Sequence, residues 1–151
     1  METISHKLSI NPDIHNVYGF LILSEQNYLI GKLSKGKKEV NLKGNIDIKV
    51  KKGRGGCSAI RFRRIRAERA FKSFKTIEEN LKHIFIKDNL LNICGLIIAG
   101  KIELINKYLS FRKNHGDHIV ILNEYISTLI EIKNSGELGF DEAIALSMIN
   151  D

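Results

Sequence analysis

A chain of 151 residues is long enough for one domain that buries roughly two-thirds of its unfolded surface, and 43% hydrophobic with 27% charged residues is an ordinary globular composition. No apolar run approaches the ~18 residues of a membrane span. The start, Met1 to His6, lacks the basic-then-apolar pattern of a signal peptide, and two cysteines, Cys57 and Cys94, make no disulfide framework. A membrane partner and an oxidising compartment are therefore not expected, and the cytoplasm is the simplest location. The net charge of +7 is uneven: residues 49–75 hold eleven Lys or Arg and one acid, Glu68, while the rest holds thirteen basic and sixteen acidic residues. So concentrated a block repels itself, which suits a nucleic-acid partner better than a merely solvated helix face.

In chain order, residues 1–15 show no period and contain the one proline, Pro12, which reads as an N-terminal lead before a domain at 16–151. Val17 to Leu23 is a buried-strand candidate, and Tyr28 to Leu33 the returning strand after a turn at Asn27. Lys35-Gly36-Lys37 suggests another turn. Glu39 to Leu42 and Ile46 to Val50 alternate apolar and polar, as half-buried strands do, completing an antiparallel meander.

Gly53 to Cys57 is a glycine-rich loop, and Ser58 is a candidate N-cap for a long helix over 59–85. Ala70, Phe74, Ile77, Leu81 and Ile84 recur at helical spacing and form its core stripe. Arg61, Arg63, Arg64, Arg66 and Arg69 instead surround the first turns, so the first half of this helix is expected to project and the second half to pack. Ile93 to Gly100 reads as a central strand, with Cys94 a core residue inside it. Lys101 to Leu109 reads as a short helix, Lys113 to Asp117 as a polar loop and residues 119–126 as ambiguous. Thr128 to Ile132 is a strand, and Gly139 and Phe140 open a last helix over 141–148. The order predicts a single α/β domain, a mixed β-sheet packed by helices, with a protruding glycine-rich loop and a long basic helix.

The segment Lys51-Lys52-Gly53-Arg54-Gly55-Gly56-Cys57-Ser58 resembles the signature loop of eukaryotic and archaeal-type class I peptide-chain release factors. The run Arg61-Phe62-Arg63-Arg64-Ile65-Arg66, the strand Asn92 to Gly100, and Gly139-Phe140 ahead of Glu142-Ala143-Ile144 are similar to the middle domain of that family, in the same order. In the family, Gly-Gly is followed by Gln. Here Cys57 stands at that place. The resemblance covers nearly the whole chain and has no counterpart of the domains that read stop codons or bind the partner GTPase. Met1 just ahead of the first matching strand suggests a stand-alone domain; a piece cut from a longer protein is the alternative.

The resemblance implies that the loop enters the peptidyl-transferase centre of the large ribosomal subunit. It implies 23S/25S/28S-type rRNA as partner through Lys51, Lys52, Arg54, Arg61, Arg63, Arg64, Arg66 and Arg69, with tRNA a further candidate. Release is hydrolysis of the ester joining peptide to tRNA, which needs a positioned water and fixed donors for the developing oxyanion. The backbone at Gly55 and Gly56 can keep that role. A thiol cannot replace the amide side chain of Gln, being shorter and a poorer hydrogen-bonding group. Cys57 is also a candidate nucleophile, lying near Arg54 and Arg61 and just before a helix N-terminus, both of which favour thiolate. The plainer reading is a small residue tolerated in a loop that only has to fit.

Three functions follow: a non-catalytic protein that blocks the centre or keeps idle ribosomes dormant, a codon-independent peptidyl-tRNA hydrolase for termination or rescue, and a regulator that binds other RNA through residues 49–75. The first is favoured by the cysteine. The second is disfavoured by the same cysteine and by the lack of Lys or Arg after Lys133. His115, Asp117 and His118 resemble a fragment of a metal site without further partners, so neither metal nor cofactor is expected. Glu78, Glu79 and Glu137 give no legible pair of catalytic carboxylates, and no phosphate-binding Gly-Lys-Ser/Thr loop is present.

Overall fold

The structure, a computed structural model, describes residues 9–46, 57–114 and 126–147. Eight strands and three helices lie in these residues: β1 (Ser9–Ile10), β2 (Val17–Leu23), β3 (Asn27–Ser34), β4 (Lys37–Asn45), α1 (Cys57–Phe85), β5 (Ile86–Lys87), β6 (Leu90–Leu91), β7 (Gly95–Gly100), α2 (Ile102–Asn114), β8 (Ile126–Glu131) and α3 (Gly136–Ser147). The main sheet has the order β4-β3-β2-β7-β8, antiparallel from β4 to β2 and parallel from β2 to β8. A second, small mixed sheet runs β1-β6-β5.

Strand alternation sorts the core into two layers. Leu21 and Leu23 of β2, Tyr28 and Ile30 of β3, and Leu96 and Ile98 of β7 point to the face covered by α1 and α2. Phe20, Ile22, Leu29, Ile97 and Ala99 point to the opposite face, where Phe140 and Ala143 of α3 cover them. All six residues of β7 are buried, as expected of a strand paired in parallel on both sides and covered on both faces. Close packing explains Gly19: a Cβ there would lie 2.9 Å from the Phe85 ring, so the glycine lets the end of α1 rest on β2.

The α/β class, the meander and the long helix are as expected, with differences. Of the two half-buried segments expected in the meander, Glu39 to Leu42 lies within a longer strand, β4, whose pairing with β3 slips at Ile30/Gly31; of the second, Ile46 follows β4 as a buried residue outside any strand, and 47–50 lie outside the described residues. Cys94 is half-buried and precedes β7 rather than sitting within it; its backbone N–H donates to the Val17 carbonyl at 2.6 Å. Helix α2 runs on to Asn114, and α3 begins at Gly136, so Gly139 and Phe140 lie inside it, both buried. Ser9 and Ile10, expected to lack structure, pair in parallel with Leu90 and Leu91.

Candidate nucleic-acid interface

Helix α1 has 29 residues, twice the usual length, and its two halves have different surroundings. From Phe74 onward Phe74, Ile77, Leu81 and Phe85 are buried, and Ala70 and Ile84 are partly buried against them. Asn80 Nδ2 donates to the Tyr28 hydroxyl at 2.8 Å, fastening this half to β3. The rings of Phe74 lie 5.3 Å from Tyr108 and 5.4 Å from Phe111 of α2.

Ahead of Ala70 the burial thins, with Ile65 and Arg66 half-buried and no fully buried side chain among the described residues 61–69. Arg63 falls on the same side of the helix as Phe74 and Leu81, eleven and eighteen residues on, yet it is exposed. Residues 57–69 add roughly 20 Å of helix ahead of the packed half at 1.5 Å per residue. Arg61, Arg64 and Arg69 are exposed too, and Arg66 is half-buried. The first turn holds no acidic residue. The positive end of the helix dipole and the arginine cluster therefore add, with Glu68 the one carboxylate among them, and this tip favours an anion.

The glycine loop joins this tip. Cys57 and Ser58 form the first turn of α1, so Ser58 lies inside the helix instead of capping it. Lys51, Lys52, Gly53, Arg54, Gly55 and Gly56 lie outside the described residues, as do His115, Asp117 and His118. What the structure brings together is the ring of arginines at one projecting end, immediately after the loop in sequence.

A family model, eRF1 domain 2, matches residues 17–150. The chain belongs to the eRF1 domain 2 family. It is 32% identical over 137 residues to eukaryotic peptide chain release factor subunit 1 of Loxodes striatus, covering 87% of this chain and 29% of that protein. The corresponding protein of Didinium nasutum is 35% identical over 130 residues, again covering 86% of this chain and 29% of the relative. This eRF1 domain 2 chain thus spans under a third of the length of these relatives. Among solved structures, the archaeal translation termination factor aRF1 shares the fold with a TM-score of 0.62 at 20% identity, over 85% of this chain and 33% of that one. Pelota of Archaeoglobus fulgidus follows with a TM-score of 0.57 at 15% identity, over 86% and 31%. The release-factor middle domain expected from the loop and the Arg61 to Arg66 run is therefore the family found.

One buried polar group was missed in the sequence. Glu78 is 2% exposed, and the Tyr108 hydroxyl of α2 donates to its Oε1. Spacing contained the signal: Glu78 follows Phe74 by four residues and precedes Leu81 by three, which puts it on the apolar side. Glu79, its neighbour, is exposed, so the two carboxylates do not pair. Two carboxylates on the far side of the sheet are held ionised. Asn134 and Lys133 backbone N–H groups donating to Glu142 keep its carboxyl below the ordinary value, and Lys43 does the same for Glu137 through a 2.6 Å hydrogen bond. Glu137 ties α3 to β4, and Glu142 ties it to the connection that follows β8. Among the described residues no group of three or more His, Cys, Asp or Glu is placed to hold a metal.

Proposed function

We propose that this domain binds the large ribosomal subunit in the cytoplasm, places its Gly53 to Ser58 loop in the peptidyl-transferase centre, and occupies that centre without hydrolysing peptidyl-tRNA. Such a protein blocks the centre or keeps an idle ribosome dormant. The observation that carries the reading is the tip of α1: a projecting, exposed arginine element without acids in its first turn, continuous with the glycine loop. Its cations, Arg61, Arg63, Arg64, Arg66 and Arg69, together with Lys51, Lys52 and Arg54, supply charge for rRNA phosphates, which dominate the affinity of such contacts. Membership of the eRF1 domain 2 family supports the ribosome as the place where that charge is used.

Loss of hydrolysis rests on Cys57. The glycines leave backbone donors available, but the thiol offers neither the reach nor the paired donor and acceptor of an amide. The competing reading, a codon-independent peptidyl-tRNA hydrolase, is favoured by the relatives being peptide chain release factors. Release of labelled peptide from ribosomes carrying peptidyl-tRNA decides between them, with native chain and Cys57→Gln compared at saturating, verified occupancy. The blocking reading expects no release by the native chain and recovered release by Cys57→Gln. Peptide release by the native chain overturns it and makes Cys57 a working substitute or a nucleophile.

A further inference from the structure

The opposite end of α1 borders a second cationic feature. A cleft of about 1240 Å³ lies between the β3–β4 hairpin, the β5–β6 hairpin and the last turn of α1. Five lysines line it, Lys32, Lys35, Lys37, Lys38 and Lys87, against two carboxylates, Glu39 and Asp88. Two of the lysines are engaged: Lys32 lies 3.7 Å from Glu39, and Lys38 2.7 Å from Asp141 of α3. Lys35, Lys37 and Lys87 are exposed and form no ion pair among the described residues.

Both hairpins turn in two residues. Lys35 and Gly36 have φ of 53° and 78°, and Asp88 and Asn89 have φ of 54° and 61°, the torsions of tight type I′ turns. The glycine, aspartate and asparagine suit such torsions. Lys35 does not, since the left-handed region crowds the Cβ of a long side chain against its own backbone. The fold thus keeps a lysine at a strained turn position where Asn or Gly would be easier, and this lysine faces the cleft.

The cleft is joined to the arginine tip by one face of α1. Arg61, Lys72, Lys75 and His83 fall on the side opposite Phe74, Ile77 and Leu81, with Arg64 and the half-buried Lys82 at its flank and Glu68 and Glu79 the acids among them. His83 itself lines the cleft. At 1.5 Å per residue, the track from the first turn to His83 is roughly 39 Å long.

We propose that this lysine cleft is a second RNA-binding site, in which Lys35, Lys37 and Lys87 take the phosphates of the RNA strand that α1 engages at its other end. The inference rests on the RNA-binding part of the proposed function and adds to it a distant, independent anchor. An RNA duplex or folded strand that meets the tip can follow the helix face to the cleft, so the two sites act on one molecule and raise its affinity together.

The test measures binding of the whole chain to purified large ribosomal subunits over a range of salt concentrations. Three proteins are compared: native, Lys35→Ala/Lys37→Ala/Lys87→Ala, and Arg63→Ala/Arg64→Ala. The lysine variant is expected to bind at least about tenfold more weakly, with the slope of log affinity on log salt reduced by about 2 to 3. Lys→Arg at the same three positions should restore both, which separates lost charge from a damaged fold. If the lysine variant binds as the native chain does while the arginine variant weakens, the cleft is no RNA site and the proposed function stands. Should neither variant weaken, both readings fail. If the lysine variant keeps its affinity for subunits but loses one for polyaspartate, the cleft is a site for an acidic protein, and the RNA assignment is overturned.

Discussion

The two halves of α1 have the same backbone and opposite circumstances. Residues 74–85 bury Phe74, Ile77, Leu81 and Phe85 and carry Glu78 into the interior, whereas residues 57–69 carry four exposed arginines, Arg61, Arg63, Arg64 and Arg69, and the half-buried Arg66. Helices of this length are marginal alone in water, and a cluster of like charges lowers that margin further. The projecting half therefore holds its shape because the packed half supplies a nucleus from which the helix propagates. On the function proposed above, the body of the domain is a handle: its core fixes the direction of α1, and the proposed rRNA contacts lie on the part that the core covers least.

The sharpest way to break the comparison is one substitution in each half. Phe74→Ala removes a ring packed on Tyr108 and Phe111. It should cost about 3–5 kcal/mol of global stability, read from urea unfolding. Arg63→Ala/Arg64→Ala should shift the same midpoint by no more than about 0.5 kcal/mol, since exposed side chains away from the core carry little of the fold. A large stability loss in the arginine variant would mean that the tip is packed, and the division into handle and working end would fail.

Much of this division was legible in the sequence. The charge block at 49–75 pointed to the first half of α1, the proposed working end, because eleven cations with one acid in 27 residues need no structure to be noticed. The stripe from Ala70 to Ile84 marked the packed half, and Val17 to Leu23 was recognised to the residue because it is an apolar run bounded by polar Asn16 and Ser24. What failed was short or assembled from afar. Two-residue strands such as β1, β5 and β6 have no period to detect. Cys94 looked apolar by its neighbours, yet the strand begins one residue later. The lysine cleft joins residues 35–37 to residue 87, each an ordinary turn lysine until the hairpins meet.

A milder break lies at the buried hydrogen bond between α1 and α2. Tyr108→Phe deletes the hydroxyl that donates to Glu78 while keeping the ring against Phe74. Removing a donor from a buried carboxylate should cost about 1–3 kcal/mol in urea unfolding. The ring contacts persist, so the loss should stay well short of that of Phe74→Ala. Amide exchange should quicken first in residues 74–85, which the bond ties to α2. Equal losses in the two variants would mean that the hydroxyl, and not the aromatic packing, holds α2 to the long helix.

The smallest effect is expected on the far face of the sheet, and it tests whether α1 is independent of it. Glu142 accepts from the backbone N–H groups of Lys133 and Asn134 and from Asn134 Nδ2, each at 3.0–3.1 Å, and these bonds lower its pKa from the ordinary 4.5. A carboxyl with a depressed folded-state pKa binds protons more readily when unfolded. Its contribution is therefore complete above about pH 4.5 and is lost as pH falls through the lower, folded-state value. Glu142→Gln should lower the melting temperature slightly at neutral pH, and the difference from the native chain should shrink in strong acid, where the native carboxyl is also neutral. Glu142 belongs to α3 and touches neither half of α1. Amide exchange in residues 57–69 should then be unchanged by this variant at neutral pH, because the projecting half is anchored through Phe74 and Leu81 on the opposite face. A faster exchange there would show that the two faces of the sheet are coupled, and that the handle includes α3.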